Sequence, residues 1–325
     1  MDINGQLTFD DTPIKREYKE GLNYIRKGEL FKALEIMEGI LEKSIDFPGI
    51  EDSVRALMFW TNRWNKILKL SSGLKRAQLL INEWNVFEAF IKENNISYED
   101  ILISLKNYIF KKIIKNLIIA YQSSDVPDVS ILLKIGEIFL EIDEIDRAIE
   151  TLEYARMFKK ENSLLLSMLA EAYSRKGNEK RAKILFKEAF FYNPELIDFS
   201  LIKTDYILKL KNKLSKIFSD TKIIAFWLPV YAEIYKVFNV KRELTKEEIE
   251  KLLVETEALE REIDVKRFSQ KELEPKLLNR YFWIIDYYNL QNSNQEYADI
   301  FKEKIRSINS EIYDLYMENE NIEIE

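Results

Sequence analysis

Six positions recur along this chain in one fixed spacing, in three copies of which two lie 34 residues apart. In the stretch 163–196 they are Ala170, Tyr173, Gly177, Ala182, Phe186 and Ala189. In 129–162 they are Gly136, Phe139, Asp143, Ala148, Leu152 and Ala155. In 14–47 they are Gly21, Tyr24, Gly28, Ala33, Met37 and Ile40. Small residue answers small, large answers large and a turn-former answers a turn-former; Ile40 departs. Helix propensity does not demand this, since leucine serves a lone amphipathic helix almost as well as alanine. Small side chains at fixed places let two helix backbones approach, with a turn-former between them. The spacing therefore predicts helix–turn–helix pairs that bury themselves against their neighbours.

That spacing resembles the tetratricopeptide repeat family, in which each 34-residue unit is a helix–turn–helix pair. The stretches 129–162 and 163–196 carry the resemblance, with Pro194 after the second helix as the family often has it, and 14–47 carries it less fully. The family's tryptophan near the repeat start is missing, and Leu132 and Leu166 take its place. The resemblance implies an all-α fold: an α-solenoid of antiparallel helix pairs, wound as a right-handed superhelix, with irregular helical segments. It also implies a groove lined by the first helix of each pair. The groove places are Leu133, Glu137 and Leu140, then Ser167, Glu171 and Ser174, and, by extension of the count, Asp205. Family members that grip acidic chaperone tails carry Lys and Asn at such places. Leu133, Glu137, Ser167 and Glu171 do not match them, so that ligand is not expected. Glu137, Glu171 and Asp205 in register would instead make an acidic ladder for a Lys/Arg-rich segment of a protein partner. Leu22, at the matching place in 14–47, favours the plainer reading of a solvated surface.

Five regions are expected: an arm over 1–13, a helical region over 14–128 with one repeat, the two clear repeats over 129–196, degenerate helical repeats over 197–316, and an acidic tail over 317–325. With 8 glycines and 6 prolines in 325 residues, the chain has little punctuation for a many-stranded sheet. Two aromatic-rich helices are expected over 52–92 around "LSSGLKRA". "SYED" (97–100) reads as a capping box opening a long helix toward Tyr121, and "TKEE" (245–248), "SQKE" (269–272) and "SNQE" (293–296) repeat that signal.

The residue types narrow the chemistry. Histidine and cysteine are both absent. That removes the commonest general base, thiolate catalysis, disulfides and the usual transition-metal ligands, and no phosphate-cradling glycine motif occurs. No cofactor and no metal are expected. The acids of "EIDEID" (141–146) lack EF-hand spacing and read as a solvated turn between paired helices. Net charge is −7, which opposes general attraction to nucleic acid. The exception is 203–222, where Lys203, Lys209, Lys211, Lys213, Lys216 and Lys222 accompany Tyr206 and Phe218. The plainer account is an apolar stripe of Ile207, Leu210, Leu214 and Ile217 beneath a wet lysine face. Trp60 and Trp64, four apart on one face, suit either a peptide pocket or the core, and the core is the commoner use. "IIAFWLPVYA" (223–232) is too short to span a bilayer and reads as a buried helix. No signal segment is evident, so a cytoplasmic location without membrane insertion is expected.

The leading expectation is a non-enzymatic scaffold or assembly subunit that binds a protein through the repeat surface. The alternative is a nucleic-acid-linked or regulatory adaptor using the lysine face. The Ile/Lys/Asn-rich usage is also similar, as composition, to tetratricopeptide scaffolds of bacterial motility machinery such as spirochaetal flagellar-collar components. An enzyme ranks third, and the oligomeric state stays open.

Overall fold

A computed structural model describes residues 12–265, 270–291 and 295–321, and among these residues the chain is helical with no strand. The first helices are α1 (Pro13–Lys27), α2 (Leu30–Lys43), α3 (Ile50–Lys69), α4 (Leu74–Glu93) and α5 (Glu99–Gln122). Then come α6 (Val129–Glu141), α7 (Ile145–Phe158), α8 (Ser163–Arg175) and α9 (Glu179–Tyr192). Two 3-10 turns, Pro194–Leu196 and Phe199–Leu201, lead to α10 (Asp205–Leu214) and α11 (Thr221–Ile234). The last are α12 (Lys246–Val265), α13 (Gln270–Gln291), α14 (Gln295–Ile308) and α15 (Ser310–Asn321). The chain forms two compact units that divide between Ile138 and Phe139, inside α6.

The recurring spacing has one local geometry behind it. Gly28, Asp143 and Gly177 all have positive φ, at 88°, 63° and 82°. At each, the amide donates to the carbonyl three residues back, and the following amide reaches five back: Gly28 to Ile25 and Glu29 to Tyr24, Asp143 to Leu140 and Glu144 to Phe139, Gly177 to Ser174 and Asn178 to Tyr173. A left-handed residue thus satisfies the end of one helix and starts the next. Ala33, Ala148 and Ala182 are each fully buried after their turn, as are Met37, Leu152 and Phe186. At Gly21 an added Cβ would lie 2.6 Å from the Met37 methyl, so a larger residue there would push the end of the Met37 side chain aside where α1 meets α2.

In the first unit α1 packs on α2, α2 on α3, α3 on α4 and α4 on α5, but α5 also packs back on α1 and α3. This unit is therefore not a simple series of pairs. Trp60 is fully buried against Trp84 and Phe87, and Trp64 lies against Tyr108, so the tryptophan pair belongs to the core. Gly49, with φ 75°, receives the Tyr98 ring so closely that any Cβ would overlap it. The expected capping box at "SYED" does not form: α5 begins after Tyr98, and the Asp52 carboxylate of α3 accepts from the amides of Ser97 and Tyr98 at 2.9 and 3.0 Å.

In the second unit α8 packs between α7 and α9, and α11 packs against α9, α10, α13 and α15. The stretch 223–232 is the buried helix expected, with Pro229 inside it. No helix among the described residues is long and apolar enough to cross a membrane. "TKEE" does form its box, with Thr245 N on Glu248 Oε2 at 2.9 Å and Glu248 N on Thr245 Oγ1 at 3.2 Å. Ser269 and Ser293, which open the other two signals, lie outside the described residues, as does 1–11 of the expected arm. The expected tail is helical through Asn321, because α15 continues that far.

Candidate partner-binding surface

Seven groove positions were expected to lie open, and the structure closes several of them. On α6, Leu133 and Glu137 are half-buried, and Glu137 is paired with Lys134 at 2.6 Å. Leu140 is buried, and its carbonyl accepts from Arg175 Nη1 at 2.8 Å. Ser167 is buried with its hydroxyl donating to the Leu164 carbonyl, and half-buried Ser174 donates to Glu179. Asp205 is exposed and paired with Lys209 one helical turn on.

Glu171 overturns the ladder of three open acids. It is fully buried, and its Oε2 accepts from Thr204 N at 3.0 Å and from Thr204 Oγ1 at 2.7 Å. The carboxylate so satisfies an orphan amide at the start of α10. Of the 13 residues of α8, ten are buried, so this helix offers no open face. The 3-10 turn at Pro194–Leu196 returns the chain onto α8, and Thr204 takes the Glu171 carboxylate that was expected to face a partner.

The lysine-rich stretch has a different outcome from its expectation too. Ile207, Leu210 and Leu214 point inward as read, but α10 ends at Leu214, and Ile217 beyond it is 59% exposed. The two aromatics have protein neighbours: Tyr206 meets Phe186 edge-on, and Phe218 stacks on Trp227 at 5.6 Å. Lys213 lies 3.6 Å above the Tyr235 ring, Lys211 lies over Phe199, and Lys222 pairs with Glu272. At "EIDEID", Asp143 and Asp146 pair with Arg175 and Lys176. No group of three acids, histidines or cysteines among the described residues is placed to hold a metal ion.

An open apolar patch lies on α7. Tyr154, Met157 and Phe158 are 43%, 72% and 46% exposed, and the two rings meet edge-on at 5.2 Å. Ala148, Leu152 and Ala155 on the same helix are fully buried. The last turn of the helix is therefore apolar outward as well as inward, whereas Asp146, Arg147 and Glu150 keep its earlier outer face polar. Exposed Lys159 and Lys160 follow directly. Spacing i, i+3, i+4 was the available signal, hidden because only the buried stripe matched the repeat.

Behind α9 the second unit holds a charged centre. Lys187, 6% exposed in its side chain, donates to Asp286 at 2.6 Å and to Glu233 at 3.2 Å. Burial works to lower the Lys187 ammonium, but Glu233 and Asp286 raise it above its ordinary value. Glu188 beside it is held by Arg242 at 2.9 Å and Arg156 at 3.1 Å, and burial nonetheless pushes its carboxyl up. Arg242 also meets Glu248 at 2.7 Å, on the rim of a cleft of about 160 Å³ that includes Arg280 and Trp283. Each cation of this centre has a carboxylate, so it holds helices together and leaves little charge for a ligand.

No protein-family model matches this chain, and no curated protein matches it.

Proposed function

We propose that the chain is a non-enzymatic scaffold built of tetratricopeptide-like helix pairs, which holds a protein partner against α7. The observation that carries this reading is the exposed set Tyr154, Met157 and Phe158 on a helix whose other side is already buried. Aromatic and methionine side chains are enriched at the centres of protein interfaces, where they fill pockets and exclude water. The partner element is an apolar stretch of a protein, with acidic side chains beside it that meet Lys159 and Lys160. The thrice-repeated turn supports a repeat scaffold, since each pair needs neighbours to bury its faces. The lack of histidine and cysteine in the sequence supports a role other than catalysis.

The test is recovery of tagged chain from native cells, beside a Met157→Glu, Phe158→Ser variant. The reading expects a stoichiometric protein partner that the variant loses while its helical circular dichroism and melting stay unchanged. A partner retained by the variant puts binding elsewhere. Recovery of nucleic acid in place of protein overturns the reading in favour of the adaptor.

A further inference from the structure

Three cations of the first unit surround one cleft whose lining contains no carboxylate. Its volume is about 260 Å³, and Trp64, Ile67 and Leu80 form an apolar floor exposed to 7%, 1% and 1%. Arg76 of α4 and Lys112 and Lys115 of α5 stand around it. Arg76 is held in place by carbonyls rather than by an acid: Nε donates to Leu70 O at 3.1 Å, and Nη2 donates to Leu68 O at 3.1 Å and to Leu70 O. Nη1 takes part in none of these bonds. Asn116, buried beneath, accepts from Gly73 N at 3.1 Å and donates to Lys112 O at 2.8 Å, which fixes the turn before α4 against α5. Hydrogen bonds thus tie both Arg76 and the turn before α4 in place.

Its charge is unbalanced. The Lys112 ammonium is held below its ordinary value by burial first, then by Lys115 and Arg76. The face of the Tyr108 ring, which attracts a cation, lies 5.3 Å away. Gathering like charges costs free energy, and this chain has 56 acids against 49 bases to supply a counter-charge. Elsewhere it draws them. Here no carboxylate among the described residues lines the cleft, which is the condition of an anion site.

We propose that this cleft binds a small organic phosphomonoester, its apolar body on Trp64, Ile67 and Leu80 and its phosphate among Arg76, Lys112 and Lys115. A phosphomonoester carries about −1.5 to −2 at neutral pH, a closer match to three cations than a single carboxylate. A cavity of about 150 Å³ accepts benzene, so this cleft has room for a ring with its phosphate.

The test is calorimetric titration of the full chain with phenyl phosphate, inorganic phosphate and benzoate. Phenyl phosphate should bind at one site, about tenfold more tightly than either control, because each lacks one half of the recognition. Lys115→Met, a change at an exposed side chain, should weaken phenyl phosphate by about tenfold with melting unchanged, and Lys112→Met added to it should abolish saturable binding. Absence of one-site binding, or binding that Lys115→Met leaves undiminished, overturns the site. Equal affinity for inorganic phosphate overturns the role of the apolar floor, and equal affinity for benzoate overturns the choice of phosphate.

Discussion

Lys187 of the second unit and Lys112 of the first are both lysines on helices, drawn against aromatic side chains and partly or wholly out of water. Lys187 lies 5.6 Å from the Trp283 ring and Lys112 lies 5.3 Å from Tyr108. Their fates differ in what came to meet them. Around Lys187 stand Glu233 and Asp286, with Lys241 in turn 3.5 Å from Asp286, and the ammonium is raised. Around Lys112 stand Lys115 and Arg76, and the ammonium is lowered. Burial acts downward on both, so burial does not decide the outcome; the sign of the neighbours does. A matched cluster ties helices together. An unmatched one is left to something outside the chain.

The largest expected effect comes from breaking the matched cluster. Lys187→Met keeps most of the stem's volume but leaves Glu233 and Asp286 facing each other without their cation. Removing one member of a buried ion pair costs about 3–5 kcal/mol, because the remaining charge stays desolvated. Adding Glu233→Gln and Asp286→Asn should recover part of that loss. Urea denaturation followed by helical circular dichroism measures both. A cost near zero for the single change would mean that water reaches the cluster, and the contrast with Lys112 would collapse.

The parts of this molecule that sequence made legible are those set by neighbours a turn or two away. Ala33, Ala148 and Ala182 announce helix crossings, and Gly28, Asp143 and Gly177 announce the turns, because backbone geometry within five residues requires them. The helical class follows from the same periodicity. What stayed hidden depends on side chains brought from far along the chain. Glu171 reads as a groove acid until Thr204, 33 residues on, takes its carboxylate. "SYED" reads as its own cap until Asp52, 45 residues upstream of Ser97, supplies the acceptor. Lys187 and Asp286 are 99 residues apart. Lysines crowd the sequence at 203–222, but the structure assembles a basic cluster from Arg76 and Lys112 and Lys115 of the shorter run 106–115, and Arg76, 36 residues before Lys112, is the member that no local run marks.

A second prediction sharpens the contrast between closed and open positions without using charge. Ala182 is fully buried where α9 lies on α8, so Ala182→Leu adds volume to a contact that has none to give. The expected cost is about 1–3 kcal/mol. Its control must be chosen with care: neighbouring Lys183 is half-buried and donates to Asn239 at 2.7 Å, so it does not face water freely. Lys180, in the first turn of α9, is exposed, and Lys180→Leu should change stability by less than about 0.5 kcal/mol. Equal melting of the two variants would remove the alanine spacing as the basis of the helix crossing.

The smallest effect is the most telling, because its sign is in question. Lys112→Met is the same chemical change as Lys187→Met, made where no carboxylate will be stranded. Its apolar stem can stay on the Tyr108 ring, and the charge that leaves is one that Lys115 and Arg76 repel. Since Lys112 is only half-buried, solvent screens much of that repulsion, and the change in stability should stay within about 0.5 kcal/mol. The expected direction is toward higher stability, most visible at low salt, where the repulsion between cations reaches furthest. Melting of Lys112→Met against the unmodified chain at low and high salt reads this directly. A loss comparable to that of Lys187→Met would mean that Lys112 has a partner within the protein, and the cleft would then be one more internal ion cluster rather than a place held open for an anion.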